Sequence, residues 1–266
     1  MMTATTTPAP VLRRATVPVT LAAVRRSTRT LLRSPALLVS PVAQSLFFLL
    51  VYAGQLGTVG STYVPGGSFI AFLLPLILLT GAATGAGAAG TLVLADVTSG
   101  YLDRLRLAHG STGPFLAGAA VAALAGVTLQ TAVTVVGAML VGYRPQGLGG
   151  LVAMAALLVG LGVGIALLSI AVAVRTRSAA STGLVTLAVF GLSFFTGVFA
   201  PVEELTPWMR AVATLNPLTY VVDAARQLES GAELTALPVA VAVLATLTVA
   251  GIAACALALN HARRTR

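Results

Sequence analysis

The chain has 266 residues, 57% hydrophobic and 9% charged, with mean hydropathy +0.96 and a formal net charge of +9. Soluble domains carry about 25% charged residues, so this composition excludes a water-exposed globule and leaves a chain whose outer surface is solvated by lipid. The positive charge sits in short clusters between long apolar runs, as membrane-flanking anchors do, and argues against a nucleic-acid partner.

All 16 basic residues are arginine. A phosphate-binding Walker A loop requires a lysine, so any ATP that drives this protein is hydrolysed on another polypeptide. Cys255 has no intrachain disulfide partner. No cleavable leader is read at the start: Thr3–Pro10 is polar, and the first apolar run follows a long basic stretch.

Residues 1–16 are expected to be a disordered cytoplasmic tail, 17–260 one transmembrane domain, and 261–266 a second cytoplasmic tail. Basic residues precede the first span, and Pro18–Arg33 reads as an amphipathic interfacial helix. Arg25, Arg26, Arg29 and Arg33 form one stripe, facing anionic headgroups, and Leu21, Val24, Thr28, Leu31 and Leu32 another. Ordinary topology-setting arginines without a defined helix are the alternative.

Crossing the hydrocarbon core takes about 20 apolar residues, and six stretches qualify: 36–56, 68–95, 114–141, 149–174, 179–200 and 235–259. None contains an ionisable Asp, Glu, Lys, Arg or His. The glycine-rich stretch that opens at Gly149 is the one most open to being a partial insertion, which would leave five. With the N-terminus inside, 13 of the arginines fall on the inner side and three (Arg144, Arg210, Arg226) on the outer side, which orients both termini to the cytoplasm. Gly81, Gly85, Gly87 and Gly90 in the second span, and Gly160, Gly162 and Gly164 in the fourth, suit close helix packing better than substrate contact. Pro41 and Pro75 are expected to kink or interrupt their helices.

Between the second and third spans, Gly100 breaks the chain and Tyr101–Ala108 reads as a short inner helix. It shows Leu102, Leu105 and Leu107 beside Asp103, Arg104 and Arg106, a pattern suited to docking into a partner's groove. A solvated loop fits the spacing equally well.

After the fifth span, Thr206-Pro207 and Asn216-Pro217 each signal a helix start. The first helix is expected to bury Trp208, Met209, Val212 and Leu215. The second sets Leu218, Val221, Val222 and Ala225 on one face and Thr219, Asp223 and Arg226 on the other, with Asp223 and Arg226 spaced to pair. Two prolines in about 20 residues disqualify a span and give a hairpin half-sunk in the outer interface, with Trp208 and Tyr220 at headgroup depth.

Residues 194–210 (FFTGVFAPVEELTPWMR) and 215–226 (LNPLTYVVDAAR), with the inner GYLDRLR at 100–106, resemble type-2 ABC exporter permeases, most nearly the daunorubicin/doxorubicin-resistance type of membrane subunit. The resemblance extends over nearly the whole chain, with 194–226 its specific part. It implies an all-α fold: a polytopic bundle of six transmembrane helices with an N-terminal interfacial helix and an outer re-entrant hairpin before the last span. It further implies a homodimer in a bacterial plasma membrane, two separate ABC ATPase subunits that bind the ATP and magnesium, and no cofactor on this chain. By that resemblance the ATPase-facing residues are Arg25, Arg26, Arg29 and Arg33 of the interfacial helix. They are joined by Gly100, Leu102, Asp103, Arg104, Leu105 and Arg106 of a coupling helix. The exit cap holds Glu203, Glu204, Pro207, Trp208, Asn216, Pro217, Tyr220, Asp223 and Arg226. His109-Gly110 departs from the family, where proline is common.

The expected function is the membrane subunit of an ATP-driven exporter of a small amphipathic substrate such as a drug, natural product or lipid. The alternatives are a gradient-driven secondary transporter and a noncatalytic assembly factor. A coupled carrier usually keeps an ionisable group at membrane depth, whereas Gln44, Gln55 and Gln130 are the most polar groups here. For an intramembrane enzyme, the sequence offers no Ser–His or Asp–Asp pair at that depth and no metal-ligand cluster.

Overall fold

The structure, a computed structural model, describes residues 16–63, 69–109, 111–197 and 202–264. The tail expected over 1–16 lies outside them except for its last residue. Among the described residues the chain is all-helical. In chain order the helices are α1 (Thr16–Leu32), α2 (Pro35–Tyr63), α3 (Phe69–Thr98), α4 (Tyr101–His109), α5 (Gly113–Leu140), α6 (Leu148–Thr176) and α7 (Ala179–Ser193). A 3-10 turn (Val202–Glu204), α8 (Pro207–Leu215), α9 (Pro217–Ser230) and α10 (Leu237–Arg264) follow.

Five of these are long and apolar enough to cross a membrane: α2, α3, α5, α6 and α10. The short candidate is not the stretch at Gly149, which opens a continuous α6, but the one at 179–200. There α7 has 15 residues, about 22 Å at 1.5 Å per residue against a core of about 30 Å. Its end has a local cause. The Ser193 hydroxyl donates to Phe190 O at 2.6 Å and the Thr196 hydroxyl to Ser193 O at 2.7 Å, competing with the helical ladder. Gly197 then turns left-handed with φ +66°. The expected stretch's last residues, 198–200, lie outside the described ones.

Helices α3 and α6 form the centre. Residues Leu73 to Ala83 of α3 are buried on every side, so this helix is enclosed by others rather than by lipid. Small residues permit the close approach. A Cβ placed on Gly162 would stand 2.8 Å from Val127 Cγ1 and 3.1 Å from the Ala82 Cβ, distances at which only hydrogen fits. Helices α2 and α10 flank the core with wide exposed apolar faces. Pro41 and Pro75 lie inside α2 and α3, and neither interrupts its helix.

Helix α1 rests on α5. Its buried stripe is Ala23, Ser27 and Leu31, four residues apart. Leu21 and Leu32, expected in the apolar stripe, face outward. The reason lies opposite, where Gly118 of α5 has no side chain: a Cβ there would stand 2.9 Å from Ala23 O. A seat made by small residues selects the small face of α1.

Candidate functional site: the inner junction and the outer hairpin

At the end of the bundle that the sequence reading places inside, Gly100 takes φ +73° and turns α3 sharply into α4, as the sequence indicates. Asp96, in the last turn of α3, is buried and cannot stay there unpaired without a large desolvation cost. Arg26 of α1 answers it with two hydrogen bonds, Nη1 to Oδ2 at 2.8 Å and Nη2 to Oδ1 at 2.6 Å. The same guanidinium lies over the Tyr101 ring at 3.5 Å, a cation–π contact that adds α4 to the junction. The hydrogen bond to Asp96 raises the Arg26 pKa above its ordinary value, against the opposing effect of burial.

Arg26 is therefore the arginine of its stripe that turns partly inward, though it still lines the groove with the others. Arg25, Arg29 and Arg33 remain exposed along a groove of about 500 Å³ that also takes in Pro18 and Leu21. Asp96 was the signal: it is the carboxylate at an inner helix end, and a four-residue stripe of arginines stands nearby in the fold.

The residues of α4 divide in two. Leu102 is 2% exposed and packs with Phe115, Val174 and Leu259 in the inner core, so it anchors α4 to its own chain and is not a free docking residue. Leu105 and Asp103 are half-buried. Arg106 donates from Nη2 to Leu259 O of α10 at 2.8 Å and lies 3.9 Å from Asp103. Arg104 is exposed and reaches back to Ser99 O at 3.1 Å, while Leu107 is 88% exposed. Thus one short helix holds α1 and α5 through Tyr101 and α10 through Arg106, meets α3 through Arg26, and presents Arg104 and Leu107 outward.

At the outer end, Asn216 starts α9 by accepting from Leu218 N at 3.1 Å, a side-chain N-cap. Its Nδ2 also donates to Leu192 O at 2.7 Å and Phe195 O at 3.4 Å, two carbonyls at the end of α7, the first of which also accepts from Phe195 N at 3.1 Å. Thr219 donates to Ala213 O at 2.7 Å and Tyr220 to Thr214 O at 2.9 Å, which closes α9 on α8. Leu218, Val221, Val222 and Ala225 are buried as their spacing predicts.

Arg226 fixes the hairpin to the bundle. It donates from Nε to Phe72 O and from Nη2 to Gly197 O, both at 3.1 Å, pairs with Asp223 at 3.3 Å, and lies over the Phe72 ring at 3.7 Å. Burial pulls its pKa down to about 10, with Asp223 opposing. Burial likewise pushes the Asp223 carboxyl up, Arg226 opposing. Tyr143 donates to Glu229 Oε1 at 2.9 Å, and burial with this bond raises the phenol pKa. The Tyr143–Glu229 pair escaped sequence reasoning because the partners lie 86 positions apart.

The apolar face of α8 departs from expectation. Trp208 is 63% exposed, and Val212 and Leu215 are exposed too; the residue of α8 that is buried is Ala213. With nine residues, α8 packs on α9 through its small face at Ala213 and leaves its apolar face exposed. Pro207 and Pro217 stand exposed in the first turns, and Thr206 makes no side-chain cap. Glu203 and Glu204 are exposed, and Arg210 donates to Glu203 O and to Leu205 O.

Between the ends, the Gln130 Nε2 donates to Ser45 at 2.9 Å and Thr134 at 3.2 Å inside the bundle. Gln44 accepts from Thr84 and lines, with Ser40, Thr91 and Thr186, a groove of about 630 Å³ between α2, α3 and α7. Gln55 is exposed.

Comparison with known proteins agrees with this arrangement. The family model described as ABC-2 type transporter matches residues 18–230. A daunorubicin resistance ABC transporter permease protein, DrrB1 of Streptomyces coeruleorubidus, is 27% identical over 206 residues, spanning 74% of this chain and 70% of the relative. The putative transport permease ycf38 of Pyropia yezoensis is 24% identical over 207 residues, 74% of this chain and 69% of its own. From the interfacial helix to the end of the hairpin, this chain belongs to the ABC-2 type transporter family, as a multi-pass permease subunit that works with ABC ATPase subunits.

Proposed function

We propose that this chain is the membrane subunit of an ATP-driven exporter that moves a small amphipathic substrate, a drug, natural product or lipid-like molecule, out of the cytoplasm or inner leaflet. In this reading α7 completes a sixth crossing together with the residues that follow it, and both termini lie in the cytoplasm of a bacterial cell. Two copies of the chain pair, and two ATPase subunits bind ATP and magnesium beneath them; the chain itself holds no cofactor. The charge distribution supports this orientation. The inner segments carry 13 arginines and two carboxylates, whereas the outer ones carry three arginines and five carboxylates.

The observation that carries the reading is the double attachment of α4. Its contact with Arg26, which is itself bonded to Asp96 of α3, on one side and with Leu259 O on the other lets a push on Arg104 and Leu107 reach α1, α3 and α10. Such coupling needs two discrete arrangements that nucleotide biases. The DrrB1 relative is a drug-resistance permease by name, and the uncharged groove beside Gln44 and Thr84 suits an amphipathic cargo better than an ion.

The test is a pull-down of the chain from its host membrane, followed by an ATPase assay. A stoichiometric nucleotide-binding subunit whose activity falls with Arg104→Glu supports the exporter. A chain that purifies alone, with transport driven by an ion gradient, overturns it in favour of a secondary carrier.

A further inference from the structure

Helices α6 and α10 pack closely through their middle and share a buried core of Ile170, Ala171, Val174, Ala258 and Leu259 toward the inner end. A Cβ on Gly251 would lie 2.6 Å from the Leu167 Cβ, one on Gly164 would lie 3.3 Å from the Leu247 Cβ, and the Cys255 thiol donates to Leu167 O at 3.1 Å. Beyond Leu167 and Cys255 neither helix has another glycine. Over this packed part, Ala171 and Ala258 form the floor of a groove of about 600 Å³ between the two helices, within the range of sites that hold small molecules.

The groove has two chemically distinct parts. Val172, Ala254 and Leu257 make an apolar wall, and Leu257 is 69% exposed. At the helix ends the lining changes to Arg175, Asn260 and His261. This order, apolar toward the bilayer and cationic at its edge, complements a molecule with an anionic head and a hydrocarbon tail.

The charge at Arg175 also has no ion-pair partner among the described residues; the two inner carboxylates, Asp96 and Asp103, pair with Arg26 and Arg106. A soluble partner would meet the arginine but not a wall set among membrane-crossing helices, whereas a phospholipid meets both.

We propose that this groove is a binding site for an anionic phospholipid of the inner leaflet. The phosphate sits at Arg175, with Asn260 and His261 as further donors, and an acyl chain lies against Val172 and Leu257. Basic pockets between transmembrane helices on the cytoplasmic side favour such headgroups. The inference takes from the proposed orientation only the name of the leaflet.

Native mass spectrometry tests it on the full-length chain, extracted gently from bilayers of equal parts phosphatidylglycerol and phosphatidylcholine. Retained lipid is expected to be enriched in phosphatidylglycerol by about five-fold per cationic contact, the weight of one basic residue near an anionic surface. Arg175→Gln with His261→Gln returns the ratio toward that of the bilayer. Val172→Trp fills the groove and reduces retained lipid of both kinds. Equal retention of the two lipids by the wild-type chain overturns the site, as does an enrichment that survives loss of Arg175. Loss of ATPase co-purification in Arg175→Gln with an unchanged lipid ratio would give the residue to the ATPase and also overturn it. Retention is read without ATP, so its failure leaves the exporter reading standing, and a failure of ATP-driven transport leaves the lipid site standing.

Discussion

Arg26 of α1 and Asp96 of α3 lie 70 positions apart and meet through two charge-assisted hydrogen bonds, at 2.8 and 2.6 Å. Asp96 is the buried partner, whereas the Arg26 side chain is 36% exposed, so solvent screens the pair from one side. Arg26→Gln strands the carboxylate and is expected to cost roughly 1–3 kcal/mol. Asp96→Asn with Arg26→Gln should cost less than the two single changes added together, a coupling readable as apparent Tm in detergent. Strict additivity of the two shifts would mean that the pair carries no weight.

The two leucines of α4 predict opposite phenotypes. Leu102→Ala opens a cavity in the inner core and is expected to cost about 2–4 kcal/mol of stability, with a lowered Tm. Leu107→Asp changes a residue that is 88% exposed. Its Tm should stay near wild type, while affinity for the ATPase subunit falls roughly ten-fold, the effect of losing a modest interface anchor. A titration of purified ATPase against both variants separates these outcomes. A Leu107→Asp protein that binds normally would place the docking surface off α4.

The same helix shows how far sequence reasoning reached. Gly100, the extent of α4 and the starts of α8 and α9 were legible because local chemistry sets them: a left-handed glycine, proline in a first turn, an Asn cap. The Asp223–Arg226 pair was legible because three residues on a helix fix its geometry. The inward turn of Arg26, the internal role of Leu102 and the exposed face of α8 were not, because tertiary partners decide each of them. Periodicity finds two faces on a helix without saying which meets protein and which meets lipid, and both solvents of a membrane protein are apolar. The short α7 was hidden for a similar reason: Ser193 and Thr196 count as tolerable residues in a span, yet their hydroxyls end the helix.

Seating of α1 on α5 depends on the missing side chain at Gly118. A Cβ there meets the Ala23 carbonyl oxygen at 2.9 Å, which is backbone and cannot step aside, whereas at Gly126 it meets the Leu31 Cδ2 at an ordinary 3.5 Å. Gly118→Ala is therefore expected to cost about 1–3 kcal/mol through overpacking, and Gly126→Ala almost nothing by comparison. Limited trypsin digestion reads the difference, since a lifted α1 exposes the bonds after Arg25, Arg26 and Arg29 to earlier cleavage. Equal digestion rates in the two variants would show that α1 is not held by this contact.

Asn216 distinguishes a helix cap from a tie between elements. As a cap alone it needs only an acceptor for Leu218 N, and Asp serves as well as Asn on that account. Here the amide also donates to Leu192 O and Phe195 O at the end of α7, and the residue is 3% exposed. Asn216→Ala loses the cap and both donors, for about 1–2 kcal/mol. Asn216→Asp keeps the cap but turns a buried carboxylate toward two carbonyl oxygens, a cost that cap preferences do not include. The expected order of apparent Tm is therefore wild type, then Ala, then Asp, the reverse of the order a cap would give to the two variants. Export should follow the same order if the hairpin must stay joined to α7 to close the outer end. An Asp variant that melts with wild type would reduce Asn216 to a cap, and the link from α7 to the hairpin would then rest on Arg226 and Gly197 O alone.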